Sequence, residues 1–315
     1  MRIELYGGDY EHTLELAGQS GGFDIRYNTA PVVEIFEKML TERAFEACEF
    51  SLSNYIMLKD RGASWLHAVA VFPYRAFRHS TLYVRKDSAI RAPKDLVGKR
   101  IGVPDYSMTA AVWTRGILGE QYGVKWSDMD WVVSGRQRFE TLPGLEMSKV
   151  DSDLETDLIE GRIDALLTPS LNEDTKPAGE RVLRPVIADA QAAEEEYLRD
   201  FGVYPINHVI VIRDDILAAH PELPAALFDR YTTAKAAAYR RRLGTTMVPW
   251  AARHWKKAFD RFGGDPLPYG LTDLNRSVVQ RLAGFLHDQK LIATRPDIDG
   301  LFVDIGEAGP LRLQN

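Results

Sequence analysis

Short apolar runs alternate with stretches of helical periodicity over the first two thirds of the chain. Residues 2–6 read as a strand closed by Gly7-Gly8, residues 23–27 as a second strand and residues 45–50 as a third. Val32, Val33, Phe36, Met39 and Leu40 recur at helical spacing, so residues 31–43 are expected to form an amphipathic helix with its apolar face inward. Ser51-Leu52-Ser53-Asn54-Tyr55 follows the third strand directly, with Ser51 or Ser53 as the N-cap of a helix continuing through Ile56, Met57 and Leu58. Residues 65–72 are an apolar run of buried-strand type, and residues 81–85 form another strand.

A polar connector at 86–96 marks the first expected domain boundary, after Arg85. A second α/β series then begins, with strands at 100–103, 131–133 and 163–167 and helices at 107–118, 154–160 and 192–199; Gly161 is the expected stop of the second helix. The apolar strand at 209–213 is long enough to return to the first domain. From Asp215 onward the chain reads as helices over 221–243, 248–262 and 275–289, best explained as packing for that domain. The pattern predicts an α/β protein of two lobes, 1–85 with 206–315 and 86–205, joined by the crossings at 80–85 and 206–213, and a ligand is expected in the cleft between the lobes. A length of 315 residues suits two domains.

Composition narrows the function classes. With 45% apolar and 27% charged residues the chain has the make-up of a soluble globular protein. A net charge of −6 and a pI near 5.7 give no footing for a nucleic-acid partner. The one dense basic run, Arg240-Arg241-Arg242, reads as a solvated helix face. Cys48 is the only cysteine, which excludes an intramolecular disulfide and a cysteine-based zinc framework and leaves a buried inert thiol. The first residues lack the apolar run of a secretory signal, and no later segment approaches the length of a membrane span, so a cytoplasmic protein with no membrane partner is expected. Assembly as a homo-oligomer stays open.

Phe72-Pro73-Tyr74-Arg75-Ala76-Phe77-Arg78-His79-Ser80 is the richest cluster of recognition chemistry. Pro73 has no N–H and fixes its own φ, so a turn or irregular segment is expected there. Arginine holds a carboxylate through paired charge-assisted hydrogen bonds, and histidine moves protons near neutral pH. Arg75, Arg78 and His79 therefore point to an acidic small molecule. Asp9 and His12 lie in the polar turn after the first strand, at the edge where α/β sheets take ligands, and an ordinary capped helix start is the alternative. Ser53 and Asn54 open the helix after the third strand, where free N–H groups suit a carboxylate as well as they suit plain capping. Asp105, Tyr106 and Thr109 repeat that arrangement and are expected on the opposite wall of the cleft; Arg136 and His208 complete the candidates.

No phosphate-binding loop, dinucleotide fingerprint, nucleophile elbow or HxxxH spacing stands in the right context, which removes support for phosphoryl transfer, nicotinamide redox and serine hydrolysis. His12, His79 and His208 with Asp9 or Asp105 could still hold a divalent metal, although no metal is the favoured reading. His67 reads as a satisfied core or edge histidine, and His220, His254 and His287 as packing or surface residues.

With these residues in view, the chain resembles the 4,5-dihydroxyphthalate decarboxylase family, within the superfamily of the type 2 periplasmic-binding-protein-like fold. Four blocks carry the resemblance: Gly8-Asp9-Tyr10-Glu11-His12-Thr13, the cluster at 72–80, the block from Gly98 to Gly116 containing Val103-Pro104-Asp105-Tyr106-Ser107-Met108-Thr109, and Tyr204-Pro205-Ile206-Asn207-His208. Asn207 and Phe201 stand where the family pattern leads one to expect methionine and threonine, which bears on the substrate more than on the fold.

The resemblance implies cofactor-free removal of one carboxylate from a dihydroxylated aromatic dicarboxylate, giving 3,4-dihydroxybenzoate and CO2. On that reading Arg75 and Arg78 clamp the retained carboxylate, helped by Ser53 and Thr109, and His79 protonates the ring carbon. His208 or His12, oriented by Asp9 or Asp105, acts on the phenol. The competing expectation is a non-catalytic solute-binding protein of the same fold that captures an anionic small molecule.

Overall fold

A computed structural model describes residues 1–135, 137–244 and 248–305, which divide into two compact units. Unit 1 comprises Met1–Tyr74, His208–Ser277 and the segment from Asp297; unit 2 comprises Arg75–Asn207 and Val278–Pro296. In chain order unit 1 opens with β1 (Arg2–Gly7), β2 (Gly18–Ser20), β3 (Phe23–Thr29), α1 (Val32–Glu42), β4 (Ala47–Ser51), α2 (Leu52–Asp60) and β5 (Leu66–Val69). Unit 2 carries β6 (Leu82–Arg85), β7 (Arg100–Val103), α3 (Thr109–Tyr122), β8 (Asp130–Ser134), β9 (Met147–Val150), α4 (Leu154–Ile159), β10 (Ala165–Leu167), β11 (Leu183–Pro185) and α5 (Ala190–Phe201). β12 (His208–Arg213), α6 (Asp214–Ala219), α7 (Leu223–Leu243) and α8 (Ala251–Phe262) return to unit 1, and α9 (Asp273–Asp288) runs from unit 1 into unit 2.

The first sheet has the order β2-β3-β1-β4-β12-β5, with β1 parallel to β3 and β4 and with β12 antiparallel to β4 and β5. Central strands covered on both faces call for continuous apolar sequence, and Val209 to Ile212 of β12 are all fully buried. Ile3, Leu5, Ile25, Val69, Ile210 and Ile212 form a core with Leu223, Leu227 and Tyr231 of α7. The second sheet has the order β11-β6-β10-β7-β8-β9, in which β6 is antiparallel to its neighbours β10 and β11. Val132 and Leu166 of that sheet pack with Leu154 and Leu158 of α4. In each sheet, then, the antiparallel strand between two others is the one the chain adds on arriving from the other unit. Two α/β units, each built on its own sheet, agree with the type 2 periplasmic-binding-protein-like fold expected from the sequence.

Three expectations need correction. The chain leaves unit 1 between Tyr74 and Arg75, not after Arg85, because β6 pairs with β10 and β11. It returns between Asn207 and His208, not at residue 206. The last helix does not serve the first lobe alone: from Val278 it belongs to unit 2, where Phe285 packs edge-on against Trp113, and Gln289 accepts from Arg115 Nε at 2.7 Å and donates to Val112 O at 3.0 Å. With the further passages at Ser277/Val278 and Pro296/Asp297, the chain crosses four times rather than twice.

Gly116 of α3 tests this packing. A Cβ there would lie 2.2 Å from the Phe285 ring, whereas one at Gly119 would meet nothing closer than 3.9 Å. Gly116→Ala is expected to lower stability by about 1–3 kcal/mol, read as a fall in Tm, and Gly119→Ala to leave it unchanged or raise it. Equal melting temperatures for Gly116→Ala and the parent would contradict the placement of α9.

Candidate functional site

β4 is buried along its whole length, and its third residue is Glu49. A carboxylate taken out of water persists only when its oxygens are hydrogen-bonded. Glu49 has three donors: Gly8 N to Oε2 at 2.8 Å, Tyr10 OH to Oε1 at 2.9 Å, and His208 Nδ1 to Oε1 at 2.5 Å. The sheet register brings them together. Tyr6 of β1 lies opposite Cys48, so the turn that follows β1 arrives beside Glu49. His208 lies opposite Ser51, and Glu49, two residues back on the same face, is its diagonal cross-strand neighbour.

His208 retains 12% side-chain exposure, with Tyr74 stacked on it at 4.8 Å and Phe36 edge-on at 5.0 Å. Because a carboxylate can only accept, Nδ1 carries the hydrogen. Nε2 has no protein partner among the described residues, so the nitrogen not held by Glu49 stays open.

The turn after β1 is built to present Tyr10 and His12. Thr13 Oγ1 donates to Gly8 O and Tyr10 O, Tyr27 OH donates to Gly8 O at 2.6 Å, and a Cβ on Gly8 would lie 2.3 Å from the Tyr10 ring. Arg240 and Arg241 are exposed, as a solvated face requires, and Arg241 and Arg242 pair with Glu11 in this turn, Arg242 at 2.6 Å, with Arg241 also pairing with Glu15. His12 stacks on Tyr10 at 5.4 Å, Tyr10 on Tyr74 at 5.6 Å and Tyr74 on His208, so four rings succeed one another through unit 1. His12 Nε2 donates to Pro73 O at 2.8 Å, leaving Nδ1 bare. Burial lowers the His12 pKa and keeps the ring neutral. Burial and the Glu49 charge push the Tyr10 phenol far upward, so it stays a donor.

Other expected residues of unit 1 are placed as follows. Asp9 is exposed, and the histidine-orienting carboxylate is Glu49 instead. Ser51 caps α2, accepting from Asn54 N at 3.5 Å, and its hydroxyl lies 3.2 Å from that of Ser53; Ser53 and Asn54 are fully buried at this helix start. His67 bonds Asp214 Oδ1 at 2.9 Å, a satisfied edge histidine. Cys48 is buried, and burial pushes its thiol pKa up.

In unit 2, Arg75 and Arg78 are 6% and 5% exposed. Arg75 forms an antiparallel bridge with Ile206, and Tyr204 OH donates to its carbonyl at 3.0 Å. Arg78 donates through Nε at 2.9 Å and Nη2 at 2.5 Å to Asn207 Oδ1. His79 departs from the proton-donor role expected of it. Its Nε2 donates to Gln121 Oε1 at 2.8 Å, its Nδ1 is buried without a partner, and Phe77 and Tyr197 pack against the ring. Burial lowers its pKa, so it is a neutral histidine with its one N–H committed. Asp105 accepts from Ser107 N and Oγ at 2.8 and 2.7 Å and lies 3.4 Å from Arg138, so it orients the start of α3 rather than a histidine. Tyr106 is buried, with the Arg115 guanidinium 3.6 Å over its ring, and Thr109 is buried at the first turn of α3. Arg136 lies outside the described residues. Among the described residues no group of three or more His, Cys, Asp and Glu is placed to hold a metal ion, and no helix is long and apolar enough to cross a membrane.

Glu49 is the residue that reading the sequence missed. Its signal was available: a lone carboxylate in the middle of an apolar strand candidate must be buried, and a buried carboxylate needs donors.

The depressed pKa values of His12 and His79 have a consequence for stability. The unfolded chain takes up these protons first, so the stability they contribute is complete above about pH 6.5 and is lost as pH falls toward their folded values. Tm is expected to drop between about pH 7.5 and about pH 5, and to drop less in His79→Gln. Parallel Tm–pH curves for the two proteins would contradict the buried, neutral state of His79.

Comparison with known proteins adds the following. Residues 10–143 match a family model described as the periplasmic substrate-binding protein of a phosphonate ABC transporter. A 4,5-dihydroxyphthalate decarboxylase of Comamonas testosteroni is 32% identical over 312 residues, covering 94% of each chain. A second protein of that name, from Pseudomonas putida, is 38% identical over 162 residues, 48% of this chain and 62% of its own. Among solved structures, the periplasmic aliphatic sulphonate binding protein SsuA of Escherichia coli superposes with a TM-score of 0.60 at 13% identity, covering 96% of this chain and 97% of that one. The alkanesulfonate-binding protein SsuA of Xanthomonas axonopodis pv. citri, bound to MOPS, gives 0.56 at 13% identity with the same coverage. At that identity the likeness establishes the fold.

Proposed function

The chain belongs to the 4,5-dihydroxyphthalate decarboxylase family, and from that premise we propose that it is a carboxy-lyase converting 4,5-dihydroxyphthalate to 3,4-dihydroxybenzoate and CO2 without a cofactor. The observation that carries the proposal is the Glu49–His208 pair, an imidazole held through Nδ1 by a buried carboxylate.

Each carboxylate of this substrate is para to a hydroxyl. Drawing the phenolic proton away pushes electron density onto the carbon that bears the carboxylate, and that carbon takes up a proton. The bond to the carboxylate then breaks, CO2 leaves, the bonding pair returns to the ring and the phenol recovers its proton. The net change is one proton consumed and one CO2 released, with no electron donor or acceptor required.

His208 is assigned the protonation of the ring carbon through Nε2, with Glu49 balancing the charge of the imidazolium. His12, neutral and with a bare Nδ1, is assigned the hydrogen bond from the phenol. Tyr10 and the Gly8 N–H keep Glu49 in place. Arg75 and Arg78, both buried in unit 2, are the side chains to which the family resemblance assigns the retained carboxylate. The departing carboxylate is better left without an arginine, since a clamp there would oppose formation of neutral CO2.

The test is direct. Mixed with 4,5-dihydroxyphthalate, the protein should release CO2 and change the ultraviolet spectrum of the substrate. A rise in Tm with no turnover would favour the solute-binding alternative, which the fold shared with sulfonate-binding proteins supports. Given turnover, His208→Asn and Glu49→Gln should each lower kcat about 10²–10⁴-fold. Unchanged kcat in His208→Asn would remove it from the acid role.

A further inference from the structure

The turn after β1 is held from outside as well as from within. Thr13 bonds fix its shape, and residues 11–13 pack on α7, which sends three arginines to it. Arg230 donates through Nε to Leu16 O at 2.9 Å and through Nη2 to Ala17 O at 2.5 Å and to Glu15 O. Arg241 donates through Nη2 to Glu11 O at 3.1 Å and through Nε to Glu11 Oε1 at 3.2 Å. Arg242 Nη2 donates to Glu11 Oε2 at 2.6 Å, so the two oxygens of one carboxylate take two different guanidinium groups. Arg230, Ala234, Ala237 and Arg241 recur at i, i+4, i+7 and i+11, which is one face of the helix. The two alanines are buried and too small to hold the turn off the helix between the arginines.

Glu11 stands between two residues of the site. Tyr10, on one side, donates to Glu49, and His12, on the other, has the bare Nδ1. We propose that Arg241 and Arg242 are positioning residues: by gripping Glu11 with two guanidinium groups they fix the place at which the turn presents His12 to the phenol of the substrate. The inference rests on the assignment of His12 to that phenol. Ion pairs between half-exposed groups such as these contribute little to global stability. The grip therefore shows in the placement of His12 more than in the melting temperature.

Two opposing effects make Glu11→Ala the discriminating variant. The Glu11 charge favours protonated His12, so its loss alone would lower the His12 pKa further, whereas release of the turn lets water reach the ring and raises the pKa toward the ordinary histidine value. Glu49 and Lys235, which also act on His12, stay in place. NMR titration of the His12 ring, assigned by its loss in a His12 variant, is expected to show a rise in Glu11→Ala and in the Arg241→Ala, Arg242→Ala double variant, with the His79 titration in unit 2 unmoved. With 4,5-dihydroxyphthalate, kcat should fall about tenfold in both variants and KM should stay within about threefold. A His12 pKa unchanged or lowered in Glu11→Ala would overturn the proposal, and so would a kcat equal to the parent's in both variants. If the parent itself shows no turnover, the decarboxylase reading fails, and the His12 titration still decides whether the arginines place the ring.

Discussion

A carboxylate in the middle of a buried strand has to be surrounded by donors, and the arrangement of unit 1 follows from that requirement at Glu49. Its partners come from the turn after β1 and from the first residue of β12, so the parallel pairing of β1 with β4 and the antiparallel entry of β12 are both needed to satisfy it. Removing any one donor would leave a buried charge partly unsatisfied, at a cost of about 1–3 kcal/mol or more. The same bonds determine which nitrogen of His208 holds hydrogen and which is free. Stability and the orientation of the His208 ring therefore rest on one set of contacts.

The fold is shared with proteins whose names describe the capture of sulfonates, while the relatives by sequence are named as decarboxylases. These facts are compatible, because holding an anion and reacting with it place different demands on side chains. Holding calls for fixed positive charge. Reaction calls for a group that carries a proton and can release it, the role proposed for His208 in unit 1, which Glu49 holds. His79 shows how finely burial separates these tasks: it sits beside Arg78 in the chain, yet its N–H is committed to Gln121.

Much of the fold was legible in the sequence, because long apolar runs such as β12 and periodic segments such as α1 carry their own signal. β2, β9 and β11 were not: Gly18-Gln19-Ser20 and Leu183-Arg184-Pro185 hold no apolar run, and β9 exposes Ser148 and Lys149 and so lacks an apolar pattern. The boundary was misread at Arg85 because a polar connector marks a change of composition, while membership of a unit is decided by strand pairing, which is not local. The same reason separates the site residues. His12 and His208 were recognisable by type, but Glu49 acquires its role from partners 41, 39 and 159 residues away in the chain. His79 looked catalytic within its own nine-residue cluster, and a contact 42 residues distant decides otherwise.

The central claim is that the buried Glu49 carboxylate fixes the tautomer of His208 so that Nε2 is the exchanging nitrogen. Nitrogen-15 NMR of the histidine side chains, with the His208 signals assigned by their loss in a His208 variant, measures this directly. The account predicts that neutral His208 carries its hydrogen on Nδ1 with Nε2 bare. A dominant Nε2–H tautomer with a bare Nδ1 would contradict it.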